Sequence, residues 1–231
     1  MTAIAVTLTK RAAWLSSDSY LSQVTPEQLA MSPPLSGDEI TSTRQPDSVS
    51  LPCIGHRNKL WYSEEGKFAV AWAGAMAPAE EFRRFCDQCI WSSVDDLAEI
   101  APDMLNQALD RVAPEWRQLL TVIVGWSPRA GRCVGYSFRS SEGNRREELP
   151  DGHLFQPIWP ADDPMAETLS RTGHYAALGA EVEAFHLAAC RTLARCSRAG
   201  LYRTSGIGGT LHTVKVTRDG VSLRTNGTLE G

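Results

Sequence analysis

Segments that read as β-strands come in adjacent pairs in this chain, and the helical segments are grouped between the pairs. Residues 3–9 and 12–17 flank Lys10-Arg11, and residues 59–62 and 67–73 flank Glu64-Glu65-Gly66. Residues 119–125 and 132–138 flank Pro128-Arg129-Ala130-Gly131, and residues 210–216 and 221–224 flank Arg218-Asp219-Gly220. Each pair reads as a hairpin, and the Asp-Gly step is a strong turn signal. Apolar periodicity predicts helices over 78–91, where Pro78 suits the opening turn, over 102–112 and over 179–198. Strands that cluster in pairs, rather than alternating singly with helices, disfavour a parallel βαβ arrangement. The predicted fold is α+β: a four-layer αββα sandwich of two stacked antiparallel sheets flanked by helices.

At 231 residues the chain fits one domain spanning 1–231. Residues 20–56 interrupt the pattern. They carry Pro26, Pro33, Pro34, Pro46 and Pro52 among many Ser and Thr, with no sustained period, and read as an inserted loop. Residues 140–164 read as a polar, Pro-rich connection. A net charge of −4 without a long basic run gives no support to a nucleic-acid or anionic-membrane partner. The start, Met1 to Thr9, lacks the basic-then-apolar layout of a signal peptide, and no apolar run approaches the ~20 residues that span a bilayer, so a soluble, cytoplasmic protein is expected.

The six cysteines do not make a zinc set. Cys86 and Cys89 have C-x-x-C spacing, but with Phe82, Phe85 and Ile90 they fall on one helical face, and no second close pair completes four ligands. Buried free thiols are expected. The five histidines show no paired metal spacing, and His186 reads as a packing or surface residue of a helix. Gly206-Ile207-Gly208-Gly209 leads into a strand rather than a helix, so it reads as a turn and not as a phosphate or dinucleotide loop. Trp14, Trp61, Trp72 and Trp126 fall in strands and read as core, and Arg145-Arg146-Glu147-Glu148 reads as a solvated loop.

Three stretches carry a resemblance. Thr2-Ala3-Ile4-Ala5-Val6 followed by Leu15-Ser16-Ser17-Asp18-Ser19 resembles the start of proteasome β-type and bacterial proteasome-like subunits, with Asp18 lying 16 residues after Thr2. Lys59 to Gly74 resembles the next hairpin of that family, and Gly208 to Gly220 is similar to its closing Gly-Gly strand and hairpin. The resemblance implies the N-terminal-nucleophile hydrolase fold, no cofactor or metal, a homo-oligomer, and a peptide or amide substrate; an ATPase partner is not readable from it. It also implies roles. Removal of Met1 makes Thr2 the N-terminal residue, nucleophile through its hydroxyl and base through its amine; Lys59 tunes it, Asp18 orients Lys59, and backbone around Ala71 supplies the oxyanion donor.

The residue types fit that chemistry. A threonine hydroxyl needs a base to take its proton, and a free α-amine can serve. A neighbouring lysine cation lowers the amine's pKa by like-charge repulsion, while a carboxylate holds the lysine. Oriented N–H groups stabilise the tetrahedral oxyanion. Taken singly, each residue also has a plain reading: Asp18 as a turn former, Lys59 as a surface charge. Other positions depart from the family. Ala180 stands where it has a serine before the long helix, and Thr204 and Ile207 stand where it has an aspartate and a serine, with Ser205 a displaced substitute. The trio implies a threonine-type peptidase or amidase, of peptides or of a small molecule. The departures imply the alternative, a catalytically silent proteasome-like assembly or interaction module, of the kind that phages carry.

Overall fold

The computed structural model describes residues 2–22, 25, 49–50, 53–156, 181–199 and 204–230. The chain runs β1 (Ile4–Leu8), β2 (Ala12–Asp18), β3 (Tyr20–Ser22), β4 (Val49–Ser50), β5 (Cys53–His56), β6 (Leu60–Ser63) and β7 (Phe68–Gly74), then α1 (Met76–Gln88) and α2 (Val94–Asp110). There follow β8 (Leu119–Ser127), β9 (Arg132–Arg139), β10 (Glu147–Glu148), β11 (Gly152–Gln156), α3 (Val182–Arg198), β12 (Thr204–Ser205), β13 (Thr210–Thr217) and β14 (Val221–Thr228).

Two five-stranded antiparallel sheets form, in the orders β11-β1-β2-β13-β14 and β10-β9-β8-β7-β6. They stack face to face, with α1 and α2 on the outer face of the second and α3 on the outer face of the first. The architecture is the α+β sandwich with helices outside.

Strand β7, Phe-Ala-Val-Ala-Trp-Ala-Gly, shows how the sequence builds these layers. Successive side chains point to opposite faces. Phe68, Val70 and Trp72 pack against α1 and α2, while Ala69, Ala71 and Ala73 face the other sheet, where Ile4, Val6, Leu15 and Val214 meet them. Both faces are buried, so the strand is apolar throughout instead of alternating with polar residues.

Four features differ from the sequence reading. Helix α1 spans Met76–Gln88 and stops short of Ile90, which is 90% exposed. The Trp91 indole turns back and donates to the Cys86 carbonyl (2.9 Å), satisfying one of the orphan acceptors at the helix end. Helix α2 begins at Val94, eight residues before the predicted start, because the Ser93 hydroxyl caps it by accepting the Asp96 N–H (3.3 Å), and it continues through Pro102. Within the supposed connection, β11 pairs along the whole of β1. The ends of the supposed loop at 20–56 are strands, β3 pairing with β5 and β4 with β12; the rest of that insertion lies outside the described residues.

The thiols are free, but only Cys86, Cys133, Cys190 and Cys196 are buried; Cys53 and Cys89 are exposed, Cys89 because it lies beyond the end of α1. Burial pushes the Cys133 thiol up to about 11 and those of Cys86 and Cys190 further. Trp14 and Trp72 are buried, and Trp61 and Trp126 are half-buried.

Helix α3 is keyed to its sheet by a polar chain rather than by apolar contact alone. His186 is fully buried, not on the surface. Its Nδ1 meets Ser16 Oγ (2.7 Å) and its Nε2 meets Thr7 Oγ1 (2.8 Å). Ser16 Oγ bonds Thr213 Oγ1 (2.5 Å), which accepts from Asn226 Nδ2 (2.6 Å), and Thr7 Oγ1 bonds His153 Nδ1 (2.6 Å). No helix among the described residues is long and apolar enough to cross a membrane.

Candidate active site

Three chain segments converge at one end of the stacked sheets: the residues before β1, the end of β2 and the start of β6. Thr2, Asp18 and Lys59 meet there, at 6%, 0% and 3% exposure. Lys59 Nζ donates to Thr2 Oγ1 at 3.0 Å and to Asp18 Oδ1 at 3.3 Å. Asp18 is held from several sides: Oδ1 also accepts the Ala3 N–H (2.9 Å) and Oδ2 accepts the Gly208 N–H (3.4 Å).

A buried ammonium loses its hydration, which favours the neutral amine, while a nearby carboxylate favours the cation. At Lys59 burial is the larger effect and holds the amine below its ordinary value, with the Asp18 charge opposing. The same amine is in direct contact with the Thr2 hydroxyl. Cys190, one turn beyond His186 on α3, feels the Asp18 charge, which adds to burial in keeping it a thiol.

The backbone at Ala71, expected to supply an oxyanion donor, does not face these three residues. Trp126 N–H donates to the Lys67 carbonyl and Ala75 N–H to that of Gln118, so both ends of the β7–β8 ladder bond through odd-numbered residues of β7. Bonding alternates along an antiparallel strand, which turns Ala71, paired with Val122, into β8 and away from the trio. The Ala73 carbonyl faces β8 likewise, and a trans peptide therefore aims the Gly74 N–H at the opposite side. That is the side of β6, whose first residue, Leu60, is opposite Ala71, so Gly74 lies beyond the start of β6 and next to Lys59's end of the strand. Glycine is required there: φ is +113°, and a Cβ would lie 2.3 Å from the Gln118 carbonyl oxygen.

Of the departures, Ile207 is buried in the apolar cluster under α3 and offers no hydroxyl. Ala180 and the side chains of Thr204 and Ser205 lie outside the described residues, as does Met1. Sequence reasoning missed Gly208 as a backbone donor to Asp18; the Gly-Gly step was the only signal for it. Among the described residues no group of three or more His, Cys, Asp or Glu side chains is placed to hold a metal ion.

Two stacked antiparallel sheets with helices outside are a sandwich fold of the N-terminal-nucleophile-hydrolase type. Among solved structures, the chain is similar to Anbu from Hyphomicrobium sp. strain MC1 at 13% identity and TM-score 0.64, covering 98% of this chain and 88% of that one. A Gly-1 mutant of the same protein gives the same figures. Anbu, titled an ancestral beta-subunit, from Yersinia bercovieri matches at 12% identity and TM-score 0.59, over 98% of this chain and 87% of that one. No family model matches the sequence, and no curated protein matches it.

Proposed function

We propose that this chain is a threonine-type N-terminal-nucleophile peptidase or amidase, with Thr2 as nucleophile, Lys59 as the group that activates it and Asp18 as the carboxylate that holds Lys59. The observation that carries the reading is the 3.0 Å contact of Lys59 Nζ with Thr2 Oγ1, made by a buried lysine that also bonds Asp18. In the reaction Thr2 Oγ1 attacks the substrate carbonyl and its proton passes to the α-amine freed by Met1 removal, with the adjacent Lys59 tuning that amine. The negative charge that develops on the carbonyl oxygen is met by the Gly74 N–H. The proton then goes to the leaving amine as the C–N bond breaks, and water hydrolyses the Thr2 ester, restoring the hydroxyl. The likeness to a chain titled an ancestral beta-subunit fits a homo-oligomer of single-domain protomers, which we place in the cytoplasm.

A second reading has one observation in its favour. Ile207 puts a buried apolar side chain where the family often has a serine, which fits a silent assembly module, phage-borne or cellular. Turnover of peptide and small-amide libraries, measured with size-exclusion chromatography on wild type and Thr2→Ala, separates the two. The enzyme loses all turnover in Thr2→Ala and keeps its assembly; turnover that survives Thr2→Ala discards the mechanism, and an inert wild type that assembles normally favours the module.

A further inference from the structure

We propose that Ser19, Tyr20 and His56 are positioning residues, which clamp the Gly208–Gly209 backbone so that its N–H fixes the orientation of the Asp18 carboxylate. The proposal rests on the reading of Asp18 and Lys59 as parts of the site. Strands β3 and β5 form a small ribbon outside both main sheets, with Tyr20 opposite His56. In sequence the ribbon lies between the two charged residues, since β3 follows Asp18 directly and His56 is three residues before Lys59.

The ribbon's contacts are with the glycine pair. A Cβ on Gly208 would lie 3.0 Å from Tyr20 Cδ2, and one on Gly209 would lie 2.6 Å from both His56 Nδ1 and Ser19 Oγ. Ser19 Oγ accepts the Thr210 N–H (2.9 Å) and lies 3.4 Å from His56 Nδ1, while the Ser19 carbonyl accepts the Arg57 N–H (2.7 Å). The Tyr20 and His56 rings meet edge to face at 6.3 Å. On the far side the Gly209 carbonyl accepts the Leu229 N–H (2.7 Å), so the pair is gripped from both sides. Gly209 also has φ +73°, a second reason for glycine there.

Packing alone does not account for the ribbon, because Cys53, Ile54 and His56 are exposed and bury little apolar surface. What it does reach is Asp18. Oδ1 is shared by Ala3 and Lys59, and Oδ2 has the Gly208 N–H. Holding Oδ2 blocks rotation of the carboxylate and keeps Oδ1 on Lys59. Groups that orient reacting side chains matter because sub-ångström displacement is felt in rate.

The test is hydrogen exchange of single amides by NMR on the full chain, with Tyr20→Ala, His56→Ala and the conservative Tyr20→Phe. The Gly208 amide is expected to exchange at least about tenfold faster in both alanine variants, by opening of a clamped segment, and to keep its wild-type rate in Tyr20→Phe. The Ala3 amide, bonded to the other Asp18 oxygen, is the internal control and should not change. Labelling of Thr2 by a β-lactone should fall in parallel. Unchanged Gly208 exchange in both alanine variants, or equal acceleration at Ala3 and Gly208, overturns the proposal. If wild-type Thr2 does not react at all, the catalytic reading fails while the exchange rates still decide the clamp.

Discussion

Two buried polar clusters sit on the same face of β2, two residues apart, and differ in what they leave undone. Around Ser16 the partners are hydroxyls, an amide and imidazole rings: Asn226, Thr213, His186, Thr7 and His153 form an unbroken chain of contacts between 2.5 and 2.8 Å. Around Asp18 the partners are the Lys59 ammonium and the Ala3 and Gly208 N–H groups, and Lys59 in turn donates to the Thr2 hydroxyl, with contacts of 2.9 to 3.4 Å. A satisfied network of this kind fixes one arrangement of elements, here α3 on its sheet. A buried ion pair recovers less of its desolvation cost, so it is a poor device for stability. Its presence beside Thr2 is what the proposed chemistry requires.

Substitutions should separate the clusters by what each one changes. Lys59→Ala is expected to slow reaction at Thr2 by about 10²- to 10⁴-fold, the span of proton-transfer catalysis by the α-amine that Lys59 tunes, with single-turnover labelling as the readout. The same variant should leave α3 docked, as seen by far-ultraviolet circular dichroism. Conversely, His186→Ala removes the ring that bonds both Ser16 and Thr7, and should cost on the order of 3 kcal/mol in urea unfolding. Its effect on labelling of the folded fraction should be small. Equal losses of reactivity in the two variants would dissolve the distinction.

Acid sharpens it further. Burial first, and then the neighbouring His153, push His186 down to about 3 from its ordinary 6.5. Between those values the unfolded chain binds a proton that the native state refuses, so stability falls as pH drops through that window, by up to about 1.4 kcal/mol per pH unit from this residue. Denaturation measured from pH 7 to 4 should show that slope in wild type and a weaker one in His186→Gln. A smaller effect belongs to the end of the chain of contacts: Asn226→Ala removes one half-buried donor and should cost about 1 kcal/mol.

Much of this was legible in the chain itself, for reasons that can be given. The hairpins announced themselves because each is local, closed by a short turn, and the trio was visible because its offsets are carried by three short motifs. What could not be read depends on distant pairing. Strand β11 owes its existence to β1, about 150 residues earlier in sequence, and its own five residues carry little strand signal. The direction of the Ala71 N–H is a matter of ladder parity against β8, which no property of Phe68–Gly74 contains. His186 looked like any helical histidine because Thr7, Ser16 and Thr213 come from three other elements. Pro102 marked a plausible helix start, and the Ser93 cap with Asp95 and Asp96 behind it was the stronger signal passed over.

The most direct test of the Thr2–Lys59–Asp18 site is the intact mass of protein incubated with a threonine-reactive epoxyketone, followed by peptide mapping. Met1 absent and one adduct, located at Thr2 and missing from folded Lys59→Ala, is the predicted result. Retained Met1 with no adduct, or an adduct at Thr2 that forms equally fast without Lys59, would contradict it.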